Sequence, residues 1–252
     1  MNKTHDFFSK SVDSNYEDIQ LSNFVITMKR EDQIHDFVSG NKFRKLKYNV
    51  ASAISRNSKC LLTFGGAYSN HIAALAAAGE EMGIATIGVI RGEEIADRIA
   101  GNPTLSFAQR KGMQLYFVTR EAYKKKADSK YIDFLRDRFG AFYLIPEGGT
   151  NALAVKGCEE ILNESDLYFD YICTPVGTGG TIAGLINASE SHQTVIGFSS
   201  LKGTFQKEII ESFSSKNNYY LTDDYCFGGY AKIDSELIRF INEFKRNYGI
   251  PL

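Results

Sequence analysis

The sequence is poor in cysteine and proline, and its cysteines are scattered. Its 252 residues include only Cys60, Cys158, Cys173 and Cys226, and no two of them form a Cys-x-x-Cys pair. This spacing argues against a zinc site and against a disulfide framework, and it favours reduced thiols in a cytoplasmic protein. The 4 prolines build no proline-rich linker, so any domain boundary is expected in an ordinary loop.

The chain also lacks an excess of charge and a long apolar run. Its 29 basic and 30 acidic residues give a formal net charge of -1, so no overall field would attract nucleic acid or an anionic membrane. The longest run of small apolar residues, 72–79, is too short to span a membrane, and the first ten residues lack the apolar core of a signal peptide. With a hydrophobic content of 43%, a folded protein that acts on a small molecule is expected.

Short apolar strands alternate with helices along most of the chain. Asn102 and Pro103, for example, supply an N-cap and a proline at the first helical position, which predicts a helix that ends near Gly112. Such alternation predicts an α/β fold with parallel sheet covered by helices, as one sheet or as two doubly wound layers that flank a cleft. The predicted strands are 23–30, 60–64, 85–90, 114–118, 142–145, 171–174 and 194–198, and the predicted helices are 42–56, 69–82, 103–112, 131–139, 151–163 and 181–188.

The segment 39–46, Ser-Gly-Asn-Lys-Phe-Arg-Lys-Leu, predicts a loop that delivers a lysine to the first turn of a helix. Lys42 could act there as a nucleophilic amine, because an ammonium group loses its proton readily when it is desolvated or lies near other cations. Arg44 and Lys45 would supply such neighbouring charge. The alternative is a solvated basic face of the helix, which is the commoner meaning of such a cluster on its own.

A second candidate lies where a predicted strand ends in Gly65-Gly66 and the turn Ala-Tyr-Ser-Asn-His opens a helix. Ligands of open α/β sheets bind beyond the carboxyl ends of strands, where Ser69 and Asn70 would lie. Ser69 could be a nucleophile, a substrate ligand or simply the N-cap of the helix. His71 could tune acid–base chemistry, or it could lie in the first turn with a satisfied hydrogen bond.

A third candidate is the strand end at 145–151, Ile-Pro-Glu-Gly-Gly-Thr-Asn, which again passes through glycines to a helix. Glu147 and Asn151 could orient a cofactor there. Capping and turn geometry explain both residues almost as well.

The strongest signal for an anion is the segment 174–181, Thr-Pro-Val-Gly-Thr-Gly-Gly-Thr. Its glycines would let backbone N–H groups converge on a phosphate, its threonines would add hydroxyl donors, and the following helix would contribute its positive end. It is neither a Walker motif nor a good dinucleotide fingerprint. A glycine turn without a ligand remains the alternative.

An amine, a phosphate cradle and a hydroxyl–amide turn are together what an enzyme using pyridoxal phosphate requires. The chain resembles the family of 1-aminocyclopropane-1-carboxylate deaminase and D-cysteine desulfhydrase in the segments 40–46, 65–71, 145–157 and 175–184. The resemblance extends through 101–105 and 224–230. It implies pyridoxal 5′-phosphate as cofactor and the tryptophan-synthase-β type of fold, fold type II. Two doubly wound parallel-sheet domains, 1–50 with 151–252 and a smaller inserted 51–150, would hold the cofactor in the cleft between them.

The resemblance also implies roles for individual residues. Lys42 would be the catalytic lysine that forms a Schiff base with the cofactor, and Asn70 would contact the cofactor ring. Ser69, also catalytic, would lie at the substrate carboxylate or act as a nucleophile, with Asn70 and His71 completing the substrate site. The implied phosphate site consists of Gly177, Thr178, Gly179, Gly180 and Thr181.

The implied reaction is that of a lyase or deaminase acting on a small amino acid. His71 after the asparagine is more typical of the desulfhydrase branch, although Tyr68 stands where better-known members have glutamine. A D-cysteine desulfhydrase would release sulfide, pyruvate and ammonia, whereas a 1-aminocyclopropane-1-carboxylate deaminase would release 2-oxobutanoate and ammonia. Family members continue beyond Leu252 into a segment with an active-site tyrosine, so a truncated chain, an inactive cofactor-binding relative and completion of the site by another chain are further expectations. Dimers are common in the family, which favours a homodimer.

Overall fold

Parallel sheets with helical connections make up most of the computed structural model, which describes residues 7–8, 13–229 and 232–251. Most of the first ten residues, Tyr230 and Leu252 therefore lie outside the described residues. By their mutual contacts the described residues form two compact units. Unit 1 contains Glu31–Cys158 and the described residues before Asn15, and unit 2 contains Asn15–Arg30 and the described residues from Glu159 onward.

Between residues 25 and 199 the described strands and helices follow the alternation that the sequence predicts. The elements Tyr16–Gln20, Gln206–Phe213, Tyr219–Thr222 and Ser235–Tyr248 were not predicted. The strands are β1 (Tyr16–Gln20), β2 (Val25–Lys29), β3 (Cys60–Gly65), β4 (Ala85–Arg91), β5 (Gln114–Val118), β6 (Tyr143–Ile145), β7 (Tyr171–Val176), β8 (Thr194–Ser199) and β9 (Tyr219–Thr222). The α-helices are α1 (Asn41–Ser55), α2 (Asn70–Met82), α3 (Pro103–Arg110), α4 (Arg120–Lys124), α5 (Ser129–Phe139), α6 (Ala152–Glu159), α7 (Gly180–Ala188), α8 (Gln206–Phe213) and α9 (Ser235–Tyr248). Short 3-10 helices span Glu31–Gln33, Glu93–Gly101, Glu147–Gly149 and Glu164–Asp166.

Unit 1 is built on a parallel sheet with the strand order β5-β4-β3-β6. The central strand β3 is apolar at almost every position because a parallel strand is covered on both faces, and Leu61, Leu62 and Phe64 are buried. Gly65 pairs with Ile90 and Thr63 with Ile145, so the carboxyl ends of β3, β4 and β6 meet at one edge of the sheet. The turns that follow these strands therefore lie at the edge where ligands of such sheets bind.

Helix α1 packs within unit 1. Gly157 of α6 approaches α1 so closely that a Cβ atom would lie 2.0 Å from the carbonyl oxygen of Arg44. The amide of Asn49 donates to Asn151 Oδ1 over 3.1 Å, and the amide of Asn151 donates to Asn49 Oδ1 over 2.7 Å. These contacts join α1 to α6 within unit 1. The domains expected at 1–50 with 151–252 and at 51–150 stay a prediction, and the two contact units divide the chain differently.

Unit 2 contains the antiparallel pair β1-β2 and a parallel sheet with the order β7-β8-β9. Asp166, at the end of a 3-10 turn, accepts a hydrogen bond from Lys29 Nζ at 2.6 Å and another from the Tyr16 hydroxyl at 2.9 Å. The β1-β2 pair is thereby fixed to the 164–166 turn. In the parallel sheet, β7 pairs with β8 from Tyr171↔Thr194 to Val176↔Ser199, so the loop after Val176 leaves the carboxyl edge.

No helix in the described ranges has the combined length and apolar character that crossing a membrane would require. The cysteines at 60, 158, 173 and 226 are thiols rather than disulfides, with Cys158 buried and Cys173 exposed. In the part of the chain that the structure describes, no group of three or more His, Cys, Asp or Glu residues could hold a metal ion.

Candidate active site

Lys42 occupies the second position of α1, directly after a turn that Gly40 makes with φ = 60°. The side chain is partly buried, and its Nζ donates a hydrogen bond to Asn41 Oδ1 at 3.0 Å. Burial lowers the pKa of Lys42, whereas the nearby Cys158 partly opposes that shift. A lysine in these surroundings is shifted toward the neutral amine, which is the nucleophilic form.

The basic residues beside Lys42 are buried, so the expectation of a solvated basic face is wrong. Arg44 is 4% exposed, and Lys45 is 2% exposed. The guanidinium of Arg44 donates to both carboxylate oxygens of Glu31 at 2.9 and 2.8 Å, and the backbone N–H of Gly40 donates to the Glu31 carbonyl at 2.8 Å. This bidentate pair neutralises Arg44 and fixes the turn that leads into α1.

Lys45 is a second buried amine close to Lys42. Its Nζ donates to the Gly148 carbonyl at 3.0 Å and to the Thr150 hydroxyl at 2.9 Å. Burial, and then the charge of Lys42, lower the pKa of Lys45 to about 7, although Cys158 opposes the shift. The sequence identified Lys45 only as a source of charge, and its role as a hydrogen-bond donor to the 148–150 segment was missed.

Ser69 and Asn70 lie where the sequence places them, at the start of α2. Ser69 is the N-cap, and its Oγ accepts a hydrogen bond from the Ile72 N–H at 3.3 Å. Gly65 allows this turn to pack, because a Cβ there would lie 2.4 Å from Ile72 Cγ1 and 2.9 Å from Ser69 Oγ. Asn70 is exposed and Ser69 is partly buried, so both remain accessible to a ligand. The capping role of Ser69 is confirmed, and its chemical role stays a prediction.

His71 is buried in the first turn of α2, with 1% of its surface exposed. Its Nε2 lies 3.0 Å from the Thr63 hydroxyl oxygen, and that hydroxyl donates to the Pro146 carbonyl at 3.3 Å. Its Nδ1 has no hydrogen-bond partner among the described residues. Burial, followed by the charges of Lys42 and Lys45, lowers the pKa of His71 well below its ordinary value, so the ring is neutral. The alternative of a place in the first turn with a satisfied hydrogen bond is met at Nε2.

Glu147 and Asn151 have structural partners within unit 1. Glu147 accepts a hydrogen bond from the Tyr123 hydroxyl at 2.6 Å and pairs with Lys126 at 3.4 Å. Asn151 Oδ1 accepts from the Ala154 N–H at 2.9 Å at the start of α6. Capping thus accounts for Asn151, and a hydrogen bond and an ion pair account for Glu147.

The glycine loop of unit 2 joins β7 to α7. Gly179 is the N-cap of α7 with φ = 86°, a left-handed conformation that favours glycine. A Cβ on Gly177 would meet nothing within 4 Å, so open space borders the loop there. Gly180 and Thr181 are buried in the first turn of α7, and Thr178 is partly buried. An open space beside the amino-terminal end of a helix is suited to an anion, because the helix presents N–H groups and a positive dipole.

These residues fit the chemistry of a bound pyridoxal phosphate. Its carbonyl carbon requires an amine that gives up a proton, and the lowered pKa of Lys42 meets that requirement. Its phosphate requires hydrogen-bond donors, which the open glycine loop at the start of α7 offers without a basic side chain. Unit 1 holds Lys42, Ser69, Asn70 and His71, and unit 2 holds the loop 177–181.

Comparison with known proteins agrees with this chemistry. The family model described as "Pyridoxal-phosphate dependent enzyme" matches residues 15–246. A putative 1-aminocyclopropane-1-carboxylate deaminase of Thermotoga maritima is 32% identical over 252 residues, which cover 91% of this chain and 79% of that protein. The mitochondrial bifunctional D-cysteine desulfhydrase/1-aminocyclopropane-1-carboxylate deaminase of Arabidopsis thaliana is 31% identical over 175 residues, 63% of this chain and 43% of that protein.

A solved structure of a homologue of 1-aminocyclopropane-1-carboxylate (ACC) deaminase superposes on this chain with a TM-score of 0.75 at 23% identity. The match covers 100% of this chain and 85% of that one. The predicted fold class, an α/β protein with parallel sheets of fold type II, is thereby confirmed, and so is pyridoxal phosphate as the cofactor of the family. The chain belongs to the pyridoxal-phosphate dependent enzymes, in the family of 1-aminocyclopropane-1-carboxylate deaminase and D-cysteine desulfhydrase.

Proposed function

We propose that this enzyme is a lyase that eliminates sulfide from D-cysteine, or from a closely related small amino acid, and releases pyruvate and ammonia. The observation that carries the proposal is the Lys42 amine, whose burial at the start of α1 favours its reactive neutral form. His71 after Asn70 resembles the desulfhydrase branch and favours its reaction over ring opening.

Each group of residues has its own role in binding the cofactor or the substrate. Lys42 binds the cofactor through its amine and takes up or returns a proton when that amine is released. The backbone N–H groups of Gly177, Gly179 and Gly180, with the hydroxyls of Thr178 and Thr181, hold the phosphate. Asn70 orients the cofactor ring, and Ser69 and His71 contribute to the substrate site. When bound, pyridoxal phosphate supplies an electron sink for the carbanion at the substrate α-carbon.

A second candidate reaction is the deamination of 1-aminocyclopropane-1-carboxylate. The proteins of Thermotoga maritima and Pyrococcus abyssi that are named putative 1-aminocyclopropane-1-carboxylate deaminases are 32% and 27% identical to the chain, and the alignments cover 91% and 90% of it. Ser69 would then assist ring opening. The products separate the two candidates, because one reaction releases pyruvate and sulfide and the other releases 2-oxobutanoate without sulfide.

The first experiment is optical. Purified protein mixed with pyridoxal phosphate is expected to develop the visible absorption band of a lysine-bound cofactor, and Lys42→Ala is expected to abolish it. Lys47→Ala, on the same helix, is the matched control and should keep the band. Absence of the band from folded wild-type protein would exclude the proposal.

The second experiment measures products from D-cysteine and 1-aminocyclopropane-1-carboxylate in the cofactor-loaded protein. Sulfide and pyruvate from D-cysteine support the proposed reaction, and 2-oxobutanoate supports the second candidate. Bound cofactor without a keto acid from either compound would instead indicate a non-catalytic relative. Sedimentation of the same sample tests the expected homodimer.

A further inference from the structure

His71 is a buried histidine whose two ring nitrogens have different surroundings. The Thr63 hydroxyl has a single proton, which it donates to the Pro146 carbonyl at 3.3 Å. Nε2 of His71, 3.0 Å from the same hydroxyl oxygen, is assigned as the donor to it. With this assignment the neutral ring carries its proton on Nε2, and Nδ1 is an acceptor that has no partner in the described part of the chain. A buried acceptor without a donor is costly, so its retention calls for an explanation.

The unpartnered edge of the ring lies against the 3-10 turn Glu147–Gly149. A Cβ on Gly149 would lie 3.0 Å from His71 Cε1 and 3.3 Å from Nδ1, so the ring and the glycine backbone are in contact. Gly149 has φ = 72°, which also favours glycine at this point. The ring thus occupies the space beside the turn, while its Nε2 is tied through Thr63 to Pro146, the residue before the turn.

The same turn receives the hydrogen bonds of Lys45. Lys45 Nζ donates to the Gly148 carbonyl at 3.0 Å and to the Thr150 hydroxyl at 2.9 Å. Segment 146–150 therefore touches His71 and Thr63 as well as Lys45. If the segment moved, Lys45 would lose its two acceptors.

We propose that His71 is a positioning residue for the amines of Lys42 and Lys45, and that it acts through the turn Glu147–Gly149 rather than by contact with the substrate. The inference rests on the proposed function only in that Lys42 is taken as the amine that binds the cofactor.

The charges around the two amines explain why a neutral ring suits this place. Lys45 faces the charge of Lys42 on α1, Cys158 faces both amines from α6, and His71 faces both from α2. On the turn, the carboxylate of Glu147 is held by Tyr123 and Lys126. A protonated ring would add a third cation to two buried amines, whereas a neutral ring excludes water without adding charge.

Two variants separate the contributions of the ring nitrogens. In His71→Gln the amide N–H₂ can reach the position of Nε2 and keep the hydrogen bond to Thr63, whereas in His71→Asn the amide is too short to reach it. Without this bond no ring is held in the space beside Gly149, so water should reach the amines and raise their pKa values toward the ordinary lysine value. We expect cofactor capture at pH 7 to slow roughly tenfold in His71→Asn, equivalent to about one pKa unit, and to stay close to wild type in His71→Gln.

A second readout needs no cofactor. In cofactor-free protein labelled with ¹³C-lysine, the Cε resonance of Lys45 should titrate at a higher pH in His71→Asn than in wild type and His71→Gln. If His71→Asn does not fold, Thr63→Val, which keeps the ring but removes its hydrogen-bond acceptor, is expected to give the same shift. Equal titration of Lys45 in all folded variants would overturn the inference. A wild-type protein that captures no cofactor would instead refute the proposed function and leave the titration as the test of the inference.

Discussion

Gly157 and Arg44 are in direct backbone contact, since a Cβ atom on Gly157 would lie 2.0 Å from the carbonyl oxygen of Arg44. The approach joins α6 to the helix that carries Lys42, and neither backbone can shift without moving its helix. Gly157→Ala is therefore expected to destabilise the protein by roughly 2 kcal/mol or more, in the range of overpacked cores. Urea unfolding measures the loss. Gly101→Ala is the control, because a Cβ there meets nothing within 4 Å, and equal stability of the two variants would contradict the prediction.

The buried pair of Arg44 and Glu31 is expected to be important for stability. In Glu31→Gln, Arg44 keeps its charge at 4% exposure but loses its carboxylate partner. Removal of one member of a buried pair commonly costs about 3 kcal/mol or more, so a loss of that order is expected in the free energy of unfolding. Glu121→Gln, which removes the partner of Lys124 in an exposed pair, should leave the unfolding midpoint unchanged. A Glu31→Gln variant as stable as Glu121→Gln would show that the buried pair does not stabilise the fold.

Lys45 should make the stability of the protein depend on pH above neutrality. Its pKa falls from an ordinary lysine value of 10.5 to about 7 on folding. Between these two values the unfolded chain binds more protons than the folded one, so the free energy of unfolding rises with pH over this window. In Lys45→Met that contribution is absent. Wild type should gain more stability than Lys45→Met between pH 7 and pH 10, as measured by urea unfolding at several pH values. Parallel curves for the two proteins would contradict the assigned pKa.

Two glycines of the unit 2 loop should respond differently to alanine. Gly179 has φ = 86°, and a Cβ there would lie 3.3 Å from Ile209 Cγ2, so Gly179→Ala should cost about 1 to 2 kcal/mol of stability. Gly177 has open space beside it, so Gly177→Ala should fold with wild-type stability. If the loop holds the phosphate, the methyl group added in Gly177→Ala occupies part of the binding space and weakens the affinity for pyridoxal phosphate. Fluorescence titration with the cofactor measures that affinity, and unchanged binding by Gly177→Ala would argue against the phosphate site.

Local signals in the sequence predicted most of the parallel-sheet architecture. Asn102 caps α3 as expected, with its Oδ1 accepting from the Leu105 N–H at 2.8 Å, and α1 begins one residue before Lys42. The predicted helix at 151–163 ends earlier, at Glu159. The strand β1 was missed because its sequence, Tyr-Glu-Asp-Ile-Gln, is mostly polar, and it depends on pairing with β2.

The candidate site was only partly predictable, because its decisive contacts join distant parts of the chain. Lysine is rarely buried, and the acceptor that holds Lys45, the Gly148 carbonyl, is 103 residues away. The hydrogen-bond partner of His71 is Thr63 on the preceding strand. Nothing in the sequence distinguishes this threonine from any other polar residue of a strand. Glycine content identified the unit 2 loop, since that signal is local.

Lys42 is expected to be the lysine that binds the cofactor. This can be tested by peptide mapping with mass spectrometry, after borohydride reduction of the protein incubated with pyridoxal phosphate. A single cofactor adduct is expected on Lys42, retained in Lys45→Met and absent from Lys42→Ala. An adduct on Lys45 in the wild-type protein, or a folded protein without any adduct, would contradict it.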